Sequence, residues 1–496
     1  MLSAFESLPP ELLAIILDEL LLVHAHSATR GRSCGVALST TSRLLRAKSF
    51  AWLFSEVNNS ECVWPRTLWP HIVKVHIRGL SATNVPLAAT SPALYHALAS
   101  MPALTHVSID IDVVLPPEMM STLATLNSLY QLAIERVRLD GPATPLHLPF
   151  PSLSRLLLRV RAPYREPNID TERENANVLA LLCAVSDKLV ELTISGDLLT
   201  PPFTQLEWER LKCFTVTDHP PFQSIPIHSL VGHMHRLSTL ELLFTADFRV
   251  ANRRLPPFTL DYADNSLSHL PELSTFACSN LDSGNAIFQH LPQNLQTLRL
   301  LALWDYHDRI PVRYDPLPIG SFGEHVMPTT DVARLLSGIT SANLTSLCIT
   351  LLSDLRARKP IIGALPAVIE RVPALRSLEL RYRPYDYTDM YFVDFVGMQF
   401  FSLLQPLRHL AHLTLFLIYY IVEENPGPPG HGAHSLLKYV SPLQTVTYKF
   451  AGYRDATLGS PLVYCWDKSM LRDPRPPRVI REPPLIVLEC YSDDDE

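Results

Sequence analysis

Residues 189–194 read Leu-Val-Glu-Leu-Thr-Ile. From Glu191 to Ile194 polar and apolar side chains alternate, the period of a strand with one buried face, and Leu189 stands three residues ahead of the first inward position. The same spacing, large apolar groups at i, i+3 and i+5, occurs upstream at Ile72/Val75/Ile77, Leu104/Val107/Ile109, Leu129/Leu132/Ile134 and Leu153/Leu156/Leu158. Downstream it returns at Leu211/Phe214/Val216, Leu237/Leu240/Leu242, Leu273/Phe276/Cys278, Leu295/Leu298/Leu300, Leu344/Leu347/Ile349, Leu375/Leu378/Leu380, Leu410/Leu413/Leu415 and Leu443/Val446/Tyr448. That makes thirteen units whose leading positions lie about 31 residues apart on average. One triad means little in a chain that is 47% apolar; thirteen specify a repeat architecture.

The stretches between triads contain helix-compatible apolar runs such as Leu94 to Met101, Val178 to Val185 and Val332 to Ile339. Pro102, Pro151, Pro271 and Pro373 stand two residues before a leading leucine, where proline ends a helix and launches extended chain. The pattern resembles leucine-rich repeats, LxxLxL. That resemblance implies an α/β solenoid with short parallel strands on a concave face and helices and loops on the convex face. The Asn or Cys usual three residues beyond the last strand leucine is missing from most units, so an irregular arc is expected, further distorted by the insertion from Ala302 to Thr330.

Alternation sends the residues between and beside the inward pair onto the other face of the sheet. These include Lys74, His76 and Arg78; His106, Ser108 and Asp110; Gln131, Ala133 and Glu135; and, on later units, Thr193, Ser195, Leu301 and Phe416. The surface reads as mixed polar with isolated charges, and Arg155, Arg159, Glu191, Glu241, Arg299, Glu379 and Arg381 are the candidate contacts for a protein ligand. Two aromatic-rich loops, Trp304 to Phe322 and Arg381 to Phe392, add candidate contact surface.

The N-terminal segment from Leu8 to Val23, LPPELLAIILDELLLV, holds more apolar surface than one core-facing stripe uses. Prolines 9 and 10 and Glu11 suit a helix start, and a second helical stretch runs from Val36 to about Phe54. Leu8, Pro9, Glu11, Leu12, Ile15, Ile16 and Leu20, then Ser42 and Arg43, then Trp52, Leu53, Phe54 and Val57, resemble an F-box. An F-box implies docking of these helices on a Skp-type adaptor and, through it, on a cullin-RING ubiquitin ligase. The first seven of those residues are then the adaptor contacts. Read without the resemblance, the same helices are a cap on the repeats, and the chain is a leucine-rich-repeat interaction scaffold with no link to ubiquitination.

The expected organisation is a small all-helical domain at 1–57, a repeat solenoid at 58–455, and a Pro/Arg-rich segment with an acidic tail at 456–496. Arg472, Arg475, Arg478 and Arg481 recur at intervals of three, matching a polyproline II turn, and Ser492 precedes an acidic run as in acidophilic kinase sites. A net charge of -7 and a pI near 6.3 argue against nucleic acid as a partner. Eight cysteines without a CxxC pair fit reduced thiols in cytoplasm or nucleus. The apolar run at Leu413 to Val422 is too short to cross a membrane as a helix, and the N-terminal run lacks the basic start of a signal peptide. Phosphate-loop, dinucleotide, zinc-protease and serine-elbow motifs are absent, so neither an enzyme nor a cofactor is expected. His431 and His434 in PGPPGHGAHS read as loop histidines with no metal.

Overall fold

A computed structural model describes Leu8, Pro9 and Leu12, then residues 54–59, 64–78, 91–111, 113–142, 149–159, 170–218, 221, 225–244, 267, 270–279, 291–301, 343–352, 370–383, 402–420, 430–454, 457–458, 462–471 and 478–481. The chain forms two compact units, Met1–Leu211 and Lys212–Glu496.

In the first unit, strands β1 (Glu56–Asn59), β2 (Lys74–Arg78), β3 (His106–Asp110), β4 (Gln131–Glu135), β5 (Arg155–Arg159) and β6 (Glu191–Ser195) pair in parallel, each with the next in chain order. The apolar triads meet in register: Val75, Val107, Leu132, Leu156 and Leu192 are successive partners, and so are Ile77, Ile109, Ile134, Leu158 and Ile194. Every one of them is buried. Val57 of β1 pairs with Val75 and extends the row upstream.

Helices α1 (Pro92–Ala99), α2 (Pro117–Ala124) and α3 (Thr171–Val185) fill three of the crossovers. The first two open with proline in the first turn, where its missing N–H costs nothing. The third is capped by Asp170, whose carboxylate accepts from the Arg173 N–H at 3.1 Å. Two predicted helical runs thus overlap α1 and α3, and the one at 332–339 lies outside the described residues. Behind β4, Leu139 donates its N–H to the buried Glu174 at 3.3 Å. Asn177 donates to the carbonyls of Leu139 and Gly141 at 2.7 and 3.2 Å, tying that loop to α3.

The second unit repeats the plan with β7 (Cys213–Asp218), β8 (Thr239–Phe244), β9 (Thr275–Ser279), β10 (Thr297–Leu301), β11 (Ser346–Leu352), β12 (Ser377–Arg383), β13 (His412–Tyr420) and β14 (Thr445–Arg454), again parallel and in chain order. Phe214, Leu240, Phe276, Leu298, Leu347, Leu378, Leu413 and Val446 form one continuous inward row. Its triads are buried throughout except Leu415, which is half-buried. Both units are therefore mixed α/β with mostly parallel strands stacked in sequence order, as expected of a solenoid; the segment expected to form an all-helical domain at 1–57 lies outside the described residues apart from Leu8, Pro9, Leu12 and residues 54–57, of which Glu56 and Val57 belong to strand β1.

A backbone feature binds each strand to the next. The carbonyl at the head of one strand accepts from two consecutive N–H groups of the following repeat. Val73 accepts from Thr105 and His106, Thr105 from Tyr130 and Gln131, Ser238 from Ser274 and Thr275, and Ala411 from Gln444 and Thr445, all between 2.8 and 3.1 Å. The staple recurs at every junction from β1 to β6 and from β7 to β14. Hydroxyls of Ser238 and Ser274 add a further donor to the same carbonyl, at 3.1 and 3.3 Å. Ahead of it sits a tight turn, closed where the leading leucine donates to the carbonyl three residues back: Leu129 to Leu126, Leu237 to Met234, Leu375 to Val372, Leu443 to Val440. Those residues are buried, a fourth apolar position in these repeats.

Three sequence expectations change. Gly430–Tyr439, read as a Gly/Pro loop, includes His431 and His434 in helix α4; its Ala433, Leu436 and Leu437, with Val440 just beyond, are buried at helical spacing, and that packing outweighs the helix cost of glycine. Arg478–Arg481 is strand β17 rather than polyproline II. It pairs antiparallel with β16 (Leu462–Asp467), which pairs antiparallel with β14, while β15 (Thr457–Leu458) also pairs with β14. Trp466 of β16, buried, meets Tyr448 edge-on at 5.6 Å, so the last triad ends in an aromatic that matches this reversal. Lastly, Ala133, Ser195, Leu301 and Phe416, expected outward, are buried.

The inward rows set the stability of each unit. Leu192→Ala and Leu378→Ala are each expected to cost about 2–5 kcal/mol, while Thr297→Ala on the other face stays within about 0.5 kcal/mol. Urea denaturation midpoints measure all three.

Candidate interaction face

The side of each sheet opposite the buried rows carries nearly all the charge the strands contain. Because the staples fix the register, residues far apart in sequence become neighbours across one strand spacing, about 4.8 Å. Glu191 lies beside Arg155, Glu135 beside Arg159, and Glu241 two strands from Arg299. The predicted contacts are therefore not isolated charges. Arg155 pairs with Glu191 at 2.9 Å, Arg159 with Glu135 at 3.5 Å, Arg299 with Glu241 at 3.2 Å and Arg381 with Glu379 at 2.7 Å. Sequence reading put all seven on one type of face but missed that six of them answer one another and that the seventh, Arg159, is answered by Glu135.

In the first unit the pairing is nearly complete. Arg136 bonds Asp110 at 2.5 Å and His76 approaches Glu56 at 3.1 Å. Arg136 follows β4 with φ of 55°, a left-handed conformation that aims the chain back along the sheet, and its N–H donates to the Arg159 carbonyl at 2.9 Å. Tyr130, at the head of β4, is exposed; the Arg155 guanidinium lies over its ring at 5.5 Å and His106 stands 6.2 Å away. Burial, with Lys74, Arg155 and His76 nearby, holds the His106 imidazole below its ordinary pKa.

The second unit has a denser centre. Glu379 and Arg381 are mostly buried, and the Arg381 guanidinium covers the ring of Phe416 at 5.3 Å, which explains why that outward residue is shielded from water. Burial pushes the Glu379 carboxyl up, but the charge and hydrogen bond of Arg381, helped by Lys449 and Arg299, outweigh it and leave the carboxyl below the usual range. Beneath them the Cys348 thiol is pushed up to about 11, chiefly by burial. Cys278 is raised in the same direction by burial alone. At the row nearest the strand heads, Thr239, Thr275, Thr297, Ser346 and Ser377 are successive partners, so the charged row of the first unit is replaced here by hydroxyls.

Of the predicted adaptor contacts, Leu8 is half-buried, Pro9 is exposed and Leu12 is 48% exposed; Glu11, Ile15, Ile16 and Leu20 lie outside the described residues. So do the Trp304 to Phe322 loop and the other from residue 384 onward. Cysteines 183, 213, 278, 348 and 465 are free thiols. Among the described residues no group of His, Cys, Asp and Glu is arranged to hold a metal ion, and no helix is long and apolar enough to cross a membrane. Chemically, the face offers charges held in fixed geometry, which suits recognition.

Glu379→Gln strips Arg381 of its counter-ion and is expected to cost about 3 kcal/mol at neutral pH. Since the folded carboxyl titrates below the unfolded one, the pair's contribution is complete above the ordinary carboxylate range and disappears as pH falls through the lower folded value. The stability gap between wild type and Glu379→Gln should thus hold from pH 7 to about 5 and narrow as the pH falls through and below the ordinary carboxylate range in urea melts. In native thiol mapping by mass spectrometry, exposed Cys183 should react within minutes at pH 8 while Cys278 and Cys348 react only after unfolding. In comparison with known proteins, the chain matches no protein-family model and no curated protein.

Proposed function

We propose that this chain is a non-catalytic substrate-recognition subunit of a Skp-cullin-F-box ubiquitin ligase. Its N-terminal helices dock a Skp-type adaptor, and the outward sheet faces bind a protein substrate in cytoplasm or nucleus. The observation that carries the recognition half is the in-register stacking of the LxxLxL units, which presents rows of side chains held by staples and ion pairs. A surface organised in advance loses little entropy on binding. Support for the adaptor half comes from the F-box-like sequence from Leu8 to Val57 and from the exposure of Pro9 and Leu12, apolar groups left available to a partner. The chain's contribution is proximity: a bound substrate is held near the conjugating enzyme at raised effective concentration.

Co-expression with a Skp-type adaptor tests this reading. The wild-type chain should copurify with it, and Leu8→Ala/Pro9→Ala and Ile15→Asp should each lose at least ten-fold in affinity, the size of about 1.4 kcal/mol. A folded wild-type chain that never copurifies would leave the interaction scaffold without ubiquitination as the function.

A further inference from the structure

We propose that one end of the second unit is a docking surface for the chain's own acidic segment, Tyr491 to Glu496. The surface is built from Tyr439, Leu471, Lys438 and Lys468 and continues along the strand-head edge to Arg408 and Arg376. Residues 482–496 lie outside the described residues. The inference goes beyond the ligase reading and holds with or without it.

Two exposed apolar groups share this end. Tyr439 closes helix α4 and is 52% exposed, and Leu471 closes the tight helical turn Lys468–Leu471 and is 37% exposed. Among the described residues of the second unit no other large apolar side chain is exposed. Helix α4 packs against that turn and against β16, so both groups belong to one surface. Cations accompany them. The Lys438 ammonium lies over the Tyr439 ring at 5.3 Å, and the Lys468 ammonium donates to the Ser441 carbonyl just past the helix at 2.6 Å, which leaves it two donors for a ligand.

Backbone bonds carry the edge onward. The Lys468 N–H donates to the Gln444 carbonyl at 2.9 Å, Gln444 to Ala411 at 2.8 Å and Ala411 to Arg376 at 2.8 Å. Arg376 therefore stands three strand steps from Lys468, about 14 Å, with Arg408 in the turn just before Ala411. Gln444 and Ala411 between them, and Thr345 on the far side of Arg376, are uncharged. All four cations are exposed, and among the described residues none has a carboxylate within ion-pairing distance. Helix α4 contains no acid. Asp467, the carboxylate nearest in sequence to Lys468, accepts from the Ser469 N–H at 2.8 Å and from its hydroxyl, while Glu379 is taken by Arg381 and Glu370 has Arg371 beside it. A net positive charge remains along this edge.

An occupant must bring an apolar side chain and several carboxylates together. The chain holds one such stretch: Tyr491 and Ser492 followed by Asp493, Asp494, Asp495 and Glu496, its only run of four consecutive acids. The reach is sufficient. Strand β17 runs antiparallel to β16 and sets Arg481 opposite Leu462, six residues or about 20 Å from Lys468. Tyr491 is ten residues beyond Arg481, up to about 34 Å of extended chain. So short a tether gives an effective concentration on the order of millimolar, and contacts too weak to retain a free peptide then suffice. The same segment of a second copy competes only at its bulk concentration.

The test is fluorescence anisotropy of the full chain with a labelled Tyr-Ser-Asp-Asp-Asp-Glu peptide at low salt. In the wild type the tethered segment competes with the peptide. The five-fold variant Tyr491→Ala/Asp493→Asn/Asp494→Asn/Asp495→Asn/Glu496→Gln vacates the surface and should bind the peptide about ten-fold more tightly, a gain that loss of folding cannot produce. Added to that variant, Lys468→Gln and Leu471→Ser should each weaken binding about three- to five-fold, and an Ala-Ser-Asn-Asn-Asn-Gln peptide should not bind. Sedimentation should give wild type and five-fold variant the same mass. Equal peptide affinity of the two chains, equal binding of the neutral peptide, or unchanged affinity in both Lys468→Gln and Leu471→Ser would each overturn the proposal. So would tighter binding of a twelve-nucleotide oligothymidine than of the acidic peptide, or a larger mass for the wild type alone, which would assign the segment to a second copy.

Discussion

At the head of each strand a single carbonyl oxygen accepts two consecutive N–H groups from the next repeat, and the position of every other group follows from that contact. A parallel strand added one residue out of step would turn its whole apolar set toward water. The staple prevents this by fixing the start of each strand against its predecessor, and the buried turn just before it fixes the path by which the chain arrives. Successive units are joined by main chain, assisted at Ser238 and Ser274 by a hydroxyl. Main-chain donors exist at every residue except proline, so the device tolerates large variation in the crossovers. Intervals of 22 residues between some leading leucines and 49 between others can then coexist in one series.

Once the register is fixed, the outward residues become columns whose chemistry differs between the units. In the first unit the row nearest the strand heads is charged, running through Lys74, His106 and Arg155 to Glu191. In the second, hydroxyls fill that row from β8 to β12, and charge moves one row further along to Glu241, Arg299 and Glu379. The two sheets therefore offer different recognition chemistry from the same plan. Small outward residues have their own part in this: Ala133 and Cys348 are nearly covered, as expected where long neighbours such as Arg381 lean across the sheet.

The inward rows were legible in the sequence because burial on one face imposes a period of two, and thirteen repetitions of it cannot be mistaken. What could not be read were relations between strands. Glu241 and Arg299 are 58 residues apart, and only the stacking of β8, β9 and β10 makes them partners. The buried position three before many of the leading leucines left a trace, in Met101, Leu126, Met234, Leu270, Val372, Leu407 and Val440, but it sits in a turn and follows no strand or helix period. Helix α4 was hidden by its glycines, since propensity argues against it and tertiary burial of Leu436 and Leu437 decides the matter. Phe416 looked outward from its position alone; the guanidinium that covers it comes from the neighbouring strand.

Internal pairing changes what the charged residues contribute to recognition. A guanidinium already bonded to a neighbouring carboxylate and stacked on an aromatic ring has lost its rotamer freedom on folding, so a partner gains little new Coulomb energy from it but meets it in a defined place. Arg381, between Glu379 and Phe416, is of this kind. An exposed lysine has the opposite character: it is mobile and fully solvated, and it offers a charge that no neighbour has neutralised. Affinity on such a face should then come from the few unanswered groups, and discrimination from the many answered ones, because any ligand that approaches must fit around pairs that resist rearrangement. A partner with its charges in the wrong places would have to break an ion pair such as Glu379–Arg381 to bind, at the cost of leaving one member desolvated and alone.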